Sequence, residues 1–169
     1  ALVLASLLLV TAAPLQAAPA QPANAMPTAA EIQQLEKQRD KRPRDAERRD
    51  ELGIAYYRFA RAAFDRGDFA QYEKYLGLAM DEWIESLRID PENATAWYNL
   101  GLAYDNLKRY DEAVEAYRQA LRINPEYADA WYNLGVIYRD LQRYNDAVGA
   151  FCQAVRINPQ SAAAWSSLA

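Results

Sequence analysis

Apolar and small residues recur three and four positions apart through the second half of the chain. Trp97, Leu100, Gly101 and Tyr104 share one face of a predicted helix. The polar pair Lys108-Arg109 follows, and then Ala113, Tyr117, Ala120 and Leu121 share one face of a second helix. Asn124-Pro125 closes the segment, because proline pushes the residue before it out of the helical region. The pattern then restarts with Trp131, Leu134, Gly135 and Tyr138, continues with Ala147, Phe151 and Ala154, and closes at Pro159. Two residue types keep the same period: Trp97, Trp131 and Trp165 are 34 residues apart, and so are Pro91, Pro125 and Pro159. Residues 94–127 and 128–161 align without a gap and are identical at 20 of 34 positions. A fixed period of this length predicts stacked helix pairs, an architecture that usually binds rather than catalyses. Gly101 and Gly135 interrupt the apolar face with no side chain, which predicts another helix passing close there.

The same frame extends upstream with changed spacing. Leu52-Gly53 and Tyr56 open an earlier copy and Pro91 closes it. Gly53 to Pro91 spans 38 residues, against 24 from Gly101 to Pro125. A turn at residues 66–69 aligns Phe69 with Tyr110. The first arm then measures 16 residues against 9, and the second 22 against 15. Equal surplus on both arms suits an antiparallel hairpin, since each arm covers the other. Helices are therefore expected over 46–65 and 69–89, protruding by roughly 10 Å. The tip between Phe64 and Phe69 is a second candidate contact surface. Further upstream, Thr28 and Glu31 have the spacing of a capping box, with Ile32 and Leu35 opening an apolar face. A helix from about Ala29 to Lys41 would form a capping half-repeat. The charged run from Glu36 to Glu51 mixes both signs and reads as a solvated face.

These residues resemble the tetratricopeptide repeat (TPR) family. Trp97, Leu100, Gly101, Tyr104, Ala113, Tyr117, Ala120 and Pro125 match its pattern. So do Trp131, Leu134, Gly135, Tyr138, Ala147, Phe151, Ala154 and Pro159. The resemblance implies an all-α fold, a right-handed superhelical stack of antiparallel helix pairs, here with its first hairpin lengthened. The expected organisation is a capping half-repeat at 28–45, a divergent extended repeat at 46–93, and regular repeats at 94–127 and 128–161. Residues 162–169 begin a further repeat, with Ala169 in the place of Gly101 and Gly135. The natural protein is expected to continue beyond it. An uncapped end should fray from Ser161 or self-associate, leaving Phe151 and Val155 poorly covered.

Residues 1–30 contain no charged side chain, and the first 13 form an apolar stretch broken only by Ser6 and Thr11, too short to span a bilayer comfortably. Small residues follow, as at a signal-peptidase site, with Ala17 and Ala20 as candidate cleavage positions. Residues 1–17 read as the remainder of a signal peptide lacking its initiator Met and basic start, and 18–27 as an Ala/Pro linker. The expectation is an exported protein of the periplasm or an equivalent lumen. An uncleaved signal segment, anchoring the protein in a membrane, is the alternative. The net charge is −4, which argues against a nucleic-acid partner.

The chain has no His and a single Cys, at 152. That removes His-based triads, His-ligated zinc, Cys-rich metal sites and internal disulfides. No phosphate-binding loop or nucleophile elbow is present. The reading is therefore a non-enzyme without cofactor or metal.

The resemblance also implies a ligand groove on the concave side, lined by the first helix of each pair and taking an extended peptide or a partner helix. The matching residues are Thr95, Tyr98, Asn99, Leu102, Asp105 and Asn106, then Asp129, Tyr132, Asn133, Val136, Arg139 and Asp140. Asn99 and Asn133 stand out, because an amide can pair with any peptide backbone. They could equally bond to neighbouring helices and only stabilise the stack. Glu51 and Ser167 hold the equivalent places in the flanking copies. Arg139 stands alone in the groove, so a basic clamp for a terminal carboxylate is not expected. The function expected is a scaffold or adaptor for protein partners. The alternative is the repeat arm of a larger enzyme or secretion component.

Overall fold

The computed structural model describes residues 27–168. The expected signal segment at 1–17, nearly all of the linker, and Ala169 lie outside the described residues. Eight helices and no strand are found among the described residues. They are α1 (Ala29–Lys41), α2 (Ala46–Asp65), α3 (Phe69–Ile89), α4 (Ala94–Asn106), α5 (Tyr110–Ile123), α6 (Ala128–Asp140), α7 (Tyr144–Ile157) and α8 (Ala162–Ser166). Each helix packs chiefly on its chain neighbours, with the hairpins α2/α3, α4/α5 and α6/α7 the tightest pairs.

Local chemistry sets the boundaries. Thr28, Asp45, Asp68, Asn93 and Ser161 each accept a backbone N–H of the helix they precede. The capping box at Thr28 forms as expected, with the Glu31 carboxylate accepting the Thr28 N–H at 2.6 Å. Helices α5 and α7 begin without a side-chain cap. Instead Arg109 and Arg143 lie over the rings of Tyr104 and Tyr138, at 4.6 and 4.5 Å. The hairpin turns run through left-handed backbone at Gly67 (φ 76°), Lys108 (φ 58°) and Gln142 (φ 59°).

Helix lengths follow the spacing. α2 and α3 have 20 and 21 residues, against 13 and 14 in α4 and α5. Both arms of the first hairpin are thus two turns longer, and Phe64 and Phe69 are exposed at its tip.

The glycines explain the tight pairing. A Cβ at Gly101 would lie 2.7 Å from the Tyr117 ring, and one at Gly135 would lie 2.7 Å from Phe151. In the long hairpin the fully buried Trp83 takes that role against Gly53. A second device joins one repeat to the next. The indole N–H of Trp97, Trp131 and Trp165 donates to the carbonyl of Pro91, Pro125 and Pro159, each at 2.9 Å. The shared period of Trp and Pro is therefore one hydrogen bond made three times.

Two expectations need correction. The charged run from Glu36 to Glu51 is not simply a solvated face. Arg39 of α1 and Arg49 of α2 converge on the buried Glu82 of α3, and Glu36 accepts the Tyr56 hydroxyl at 2.5 Å. These polar ties, with the buried Ile32, dock α1 on the long hairpin. Phe151 is also not left uncovered: it is 1% exposed, because Gly135 and Tyr132 of its own hairpin enclose it. The exposed large apolar residues at that end are Leu141, Tyr144, Val148 and Trp165.

Candidate functional site

The first helices of successive hairpins are linked by amide–hydroxyl bonds. Asn106 of α4 donates to the Tyr57 hydroxyl of α2 at 2.9 Å, and Asn133 of α6 donates to the Tyr98 hydroxyl of α4 at 3.3 Å. These bonds bring the candidate groove residues onto one face. Thr95, Asn106, Asp129, Arg139 and Asp140 are exposed on it, and Tyr98, Asn99, Leu102, Asp105, Tyr132, Asn133 and Val136 are half-buried.

Aromatic rings form the floor. Tyr98 stacks on Tyr127 at 4.7 Å and lies 5.8 Å from Tyr117, while Tyr132 lies 5.7 Å from Phe151. Burial pushes the Tyr98 hydroxyl up to about 12, with Asp129 and Tyr127 adding to the shift and the Asn133 bond opposing it. Asp105 is raised above the usual carboxylate range, first by burial, with Asp140 adding and Lys108 opposing. The only groove cation among the expected residues, Arg139, is occupied by its neighbour Asp140 at 3.2 Å. The face is thus carboxylate-rich.

The two singled-out amides differ. Asn133 is used in the bond to Tyr98, whereas the Asn99 Nδ2 is enclosed with no hydrogen-bond partner among the described residues. The frame gives the reason. Asp50, with a shorter side chain, stands where Tyr98 stands one repeat later; one of its oxygens accepts the Asn93 amide, and the other is buried without a partner among the described residues. Tyr57 is not among the expected groove residues. It lies four positions after Gly53, as Asp105 lies four after Gly101, so the frame itself could have pointed to it.

Models of the tetratricopeptide repeat match residues 94–127 and 116–149, and a TPR repeat model matches 76–108. The chain is a tetratricopeptide-repeat protein. Comparison with curated proteins finds no match. Among solved structures, MamA is similar at 25% identity and a TM-score of 0.68, covering 82% of this chain and 72% of MamA. TTC0263, a thermophilic TPR protein of Thermus thermophilus, is similar in fold at 22% identity and a TM-score of 0.70, covering 83% and 72%. The first TPR of Spaghetti (RPAP3), bound to the HSP90 peptide SRMEEVD, shares the fold at 20% identity and a TM-score of 0.56, covering 70% and 89%. TPR proteins are in general non-catalytic scaffolds that bind protein or peptide partners.

This TPR stack also carries a hollow of about 340 Å³ between α1 and α2, with Leu35, Glu51 and Ile54 in its lining. Glu51 and Ile54 are the counterparts of Asn99 and Leu102, so the groove face continues upstream to the capping helix. Among the described residues, no group of His, Cys, Asp and Glu is placed to hold a metal ion, and no helix is long and apolar enough to cross a membrane.

Proposed function

We propose that this TPR protein is an exported scaffold that holds an extended segment of a partner protein along α4 and α6. The enclosed Asn99 amide carries this reading. A buried donor without an acceptor costs about 1–3 kcal/mol, and a peptide carbonyl in the groove would remove that cost. The carboxylates of Asp105, Asp129 and Asp140 set the ligand's chemistry: a neutral or basic segment fits, and an acidic tail such as SRMEEVD does not. Export rests on the uncharged, apolar start of the chain and its small-residue cleavage positions.

A photo-crosslinking residue at Leu102 or Val136 should capture the partner, and the same residue at Val148 should not. A peptide taken from the crosslinked segment should compete. Equal capture from all three positions would exclude the groove. Asn133→Ala should lower stability by about 1 kcal/mol through loss of its Tyr98 bond, while Asn99→Ala removes an unsatisfied buried donor and should weaken binding without lowering the stability of the free protein. Protease shaving of spheroplasts tests the location: digestion is expected, and full protection would reject export.

A further inference from the structure

The two extra turns of α2 and α3 stand beyond the end of α4, because the next hairpin already turns at Lys108. A repeat of equal length would have covered them. The shorter one leaves a step. Arg61, Phe64 and Tyr72 form its riser, and Asp105, Asn106 and Lys108 form its tread, around a hollow of about 350 Å³.

The step has an apolar wall and an unpaired positive edge. Phe64 is 50% exposed, with its ring 5.3 Å from Tyr72 and 5.8 Å from Phe69. Arg61 makes no hydrogen bond or ion pair among the described residues. The Lys108 ammonium makes no hydrogen bond or ion pair among the described residues; it lies 5.8 Å from the Tyr110 ring and acts on Asp105 only through its charge. The Asn106 amide is already committed to the Tyr57 hydroxyl and the Leu102 carbonyl. Asp105 is the one carboxylate in the lining; it is half-buried, and burial holds its pKa up. Two open cations facing one half-buried acid make this a positive notch on a chain of net charge −4.

We propose that this step is a second docking site, for a partner-protein segment that presents a carboxylate beside an aromatic or branched apolar side chain. The carboxylate meets Arg61 and Lys108, and the apolar group lies against Phe64 and Tyr72. Charge complementarity selects this occupant. Asp105 and Asn106 border both sites, but the groove beyond them carries Asp129 and Asp140 and selects against this segment, so the two sites read different segments. The geometry ties the site to the lengthened hairpin, since hairpins of equal length would leave no step.

The minimal probe is N-acetylphenylalanine, which joins one ring to one carboxylate, titrated into the 15N-labelled full chain. Amide shifts should cluster at residues 61–72 and 105–109. N-acetylphenylalaninamide, without the charge, should bind about fivefold more weakly or less. Arg61→Gln and Phe64→Ala should each weaken the response by a similar factor. Arg61 is exposed and unbonded, so Arg61→Gln should leave melting unchanged, whereas Phe64→Ala loses two ring contacts and should melt slightly lower; neither belongs to the groove, so groove binding should persist. The proposal is overturned by an absence of shifts at the step, by equal shifts from the amide, or by indifference to Arg61→Gln. It is also overturned if only phosphatidylglycerol vesicles bind, in a way abolished by Phe64→Ala, or if a concentration-dependent dimer buries the step. The occupant would then be a membrane or a second copy.

Discussion

Replacing Gly101 by alanine tests the packing rule that fixes every hairpin in this stack. In an open helix the change would stabilise by up to about 1 kcal/mol, because alanine is the better helix former. Here the new Cβ would lie 2.7 and 2.8 Å from two carbons of the Tyr117 ring. Ordinary contact begins near 3.4 Å, so the ring or the helix must give by about 0.7 Å. Tyr117 is fully buried and cannot swing aside. Overpacking of this kind costs about 1–3 kcal/mol, and more where backbone must move. Clash outweighs propensity, and the expected net loss is about 2 kcal/mol, or about 6 °C in melting temperature. Gly135→Ala should behave alike against Phe151. Gly77 and Gly149 are internal controls, since a Cβ at either meets nothing within 4 Å. Alanine there should gain about 0.5–1 kcal/mol. Urea unfolding of the four variants, followed by circular dichroism, gives the comparison. If Gly101→Ala and Gly77→Ala shift the midpoint in the same direction, the packing argument fails.

Three further outcomes are expected. Glu82→Ala leaves Arg39 and Arg49 partly buried without their shared carboxylate, and should cost about 3 kcal/mol; hydrogen exchange should rise first in residues 29–41. Trp131→Phe keeps an aromatic ring but deletes the N–H bonded to the Pro125 carbonyl and part of the indole's packing, and should cost about 1–2 kcal/mol by urea titration. Asp105 has a raised folded-state pKa, so its contribution is fully present below the usual carboxylate pKa and is lost as pH rises through the raised value. Asp105→Asn should therefore be more stable than the parent at neutral pH, and the gain should vanish near pH 3; a gain independent of pH would reject the assignment.

The hairpin lengths are legible because Gly53, Phe69 and Pro91 keep the roles of Gly101, Tyr110 and Pro125, leaving only the intervals free. What sequence spacing does not carry are contacts between helices that are not chain neighbours. Glu82 looks like any acidic residue of a surface helix until the docking of α1 brings Arg39 over it. Phe151 reads as a residue of the stacking face because its helix borders the chain's last repeat. Its cover comes from Gly135 and Tyr132 of its own hairpin, so its burial does not depend on the repeat that follows. The candidate groove shows the limit most plainly. Asn99 and Asn133 are the same residue at the same place in two copies, yet only Asn133 finds a hydroxyl. The difference lies in the preceding copy, where Asp50 replaces a tyrosine.

The tryptophan–proline bond has a kinetic meaning. Each indole reaches back only six residues, so the joint between repeats closes from a stretch of chain shorter than three turns of helix. The main helix contacts are likewise between elements adjacent in sequence. Ordering such contacts needs little loop closure, which places the chain among fast-folding topologies. A polypeptide emerging from its N-terminus can begin to form each such joint once its tryptophan appears, and the repeat's second helix then consolidates it. The contacts that join the repeats are thus of a kind that can form step by step as the chain lengthens, without waiting for its far end.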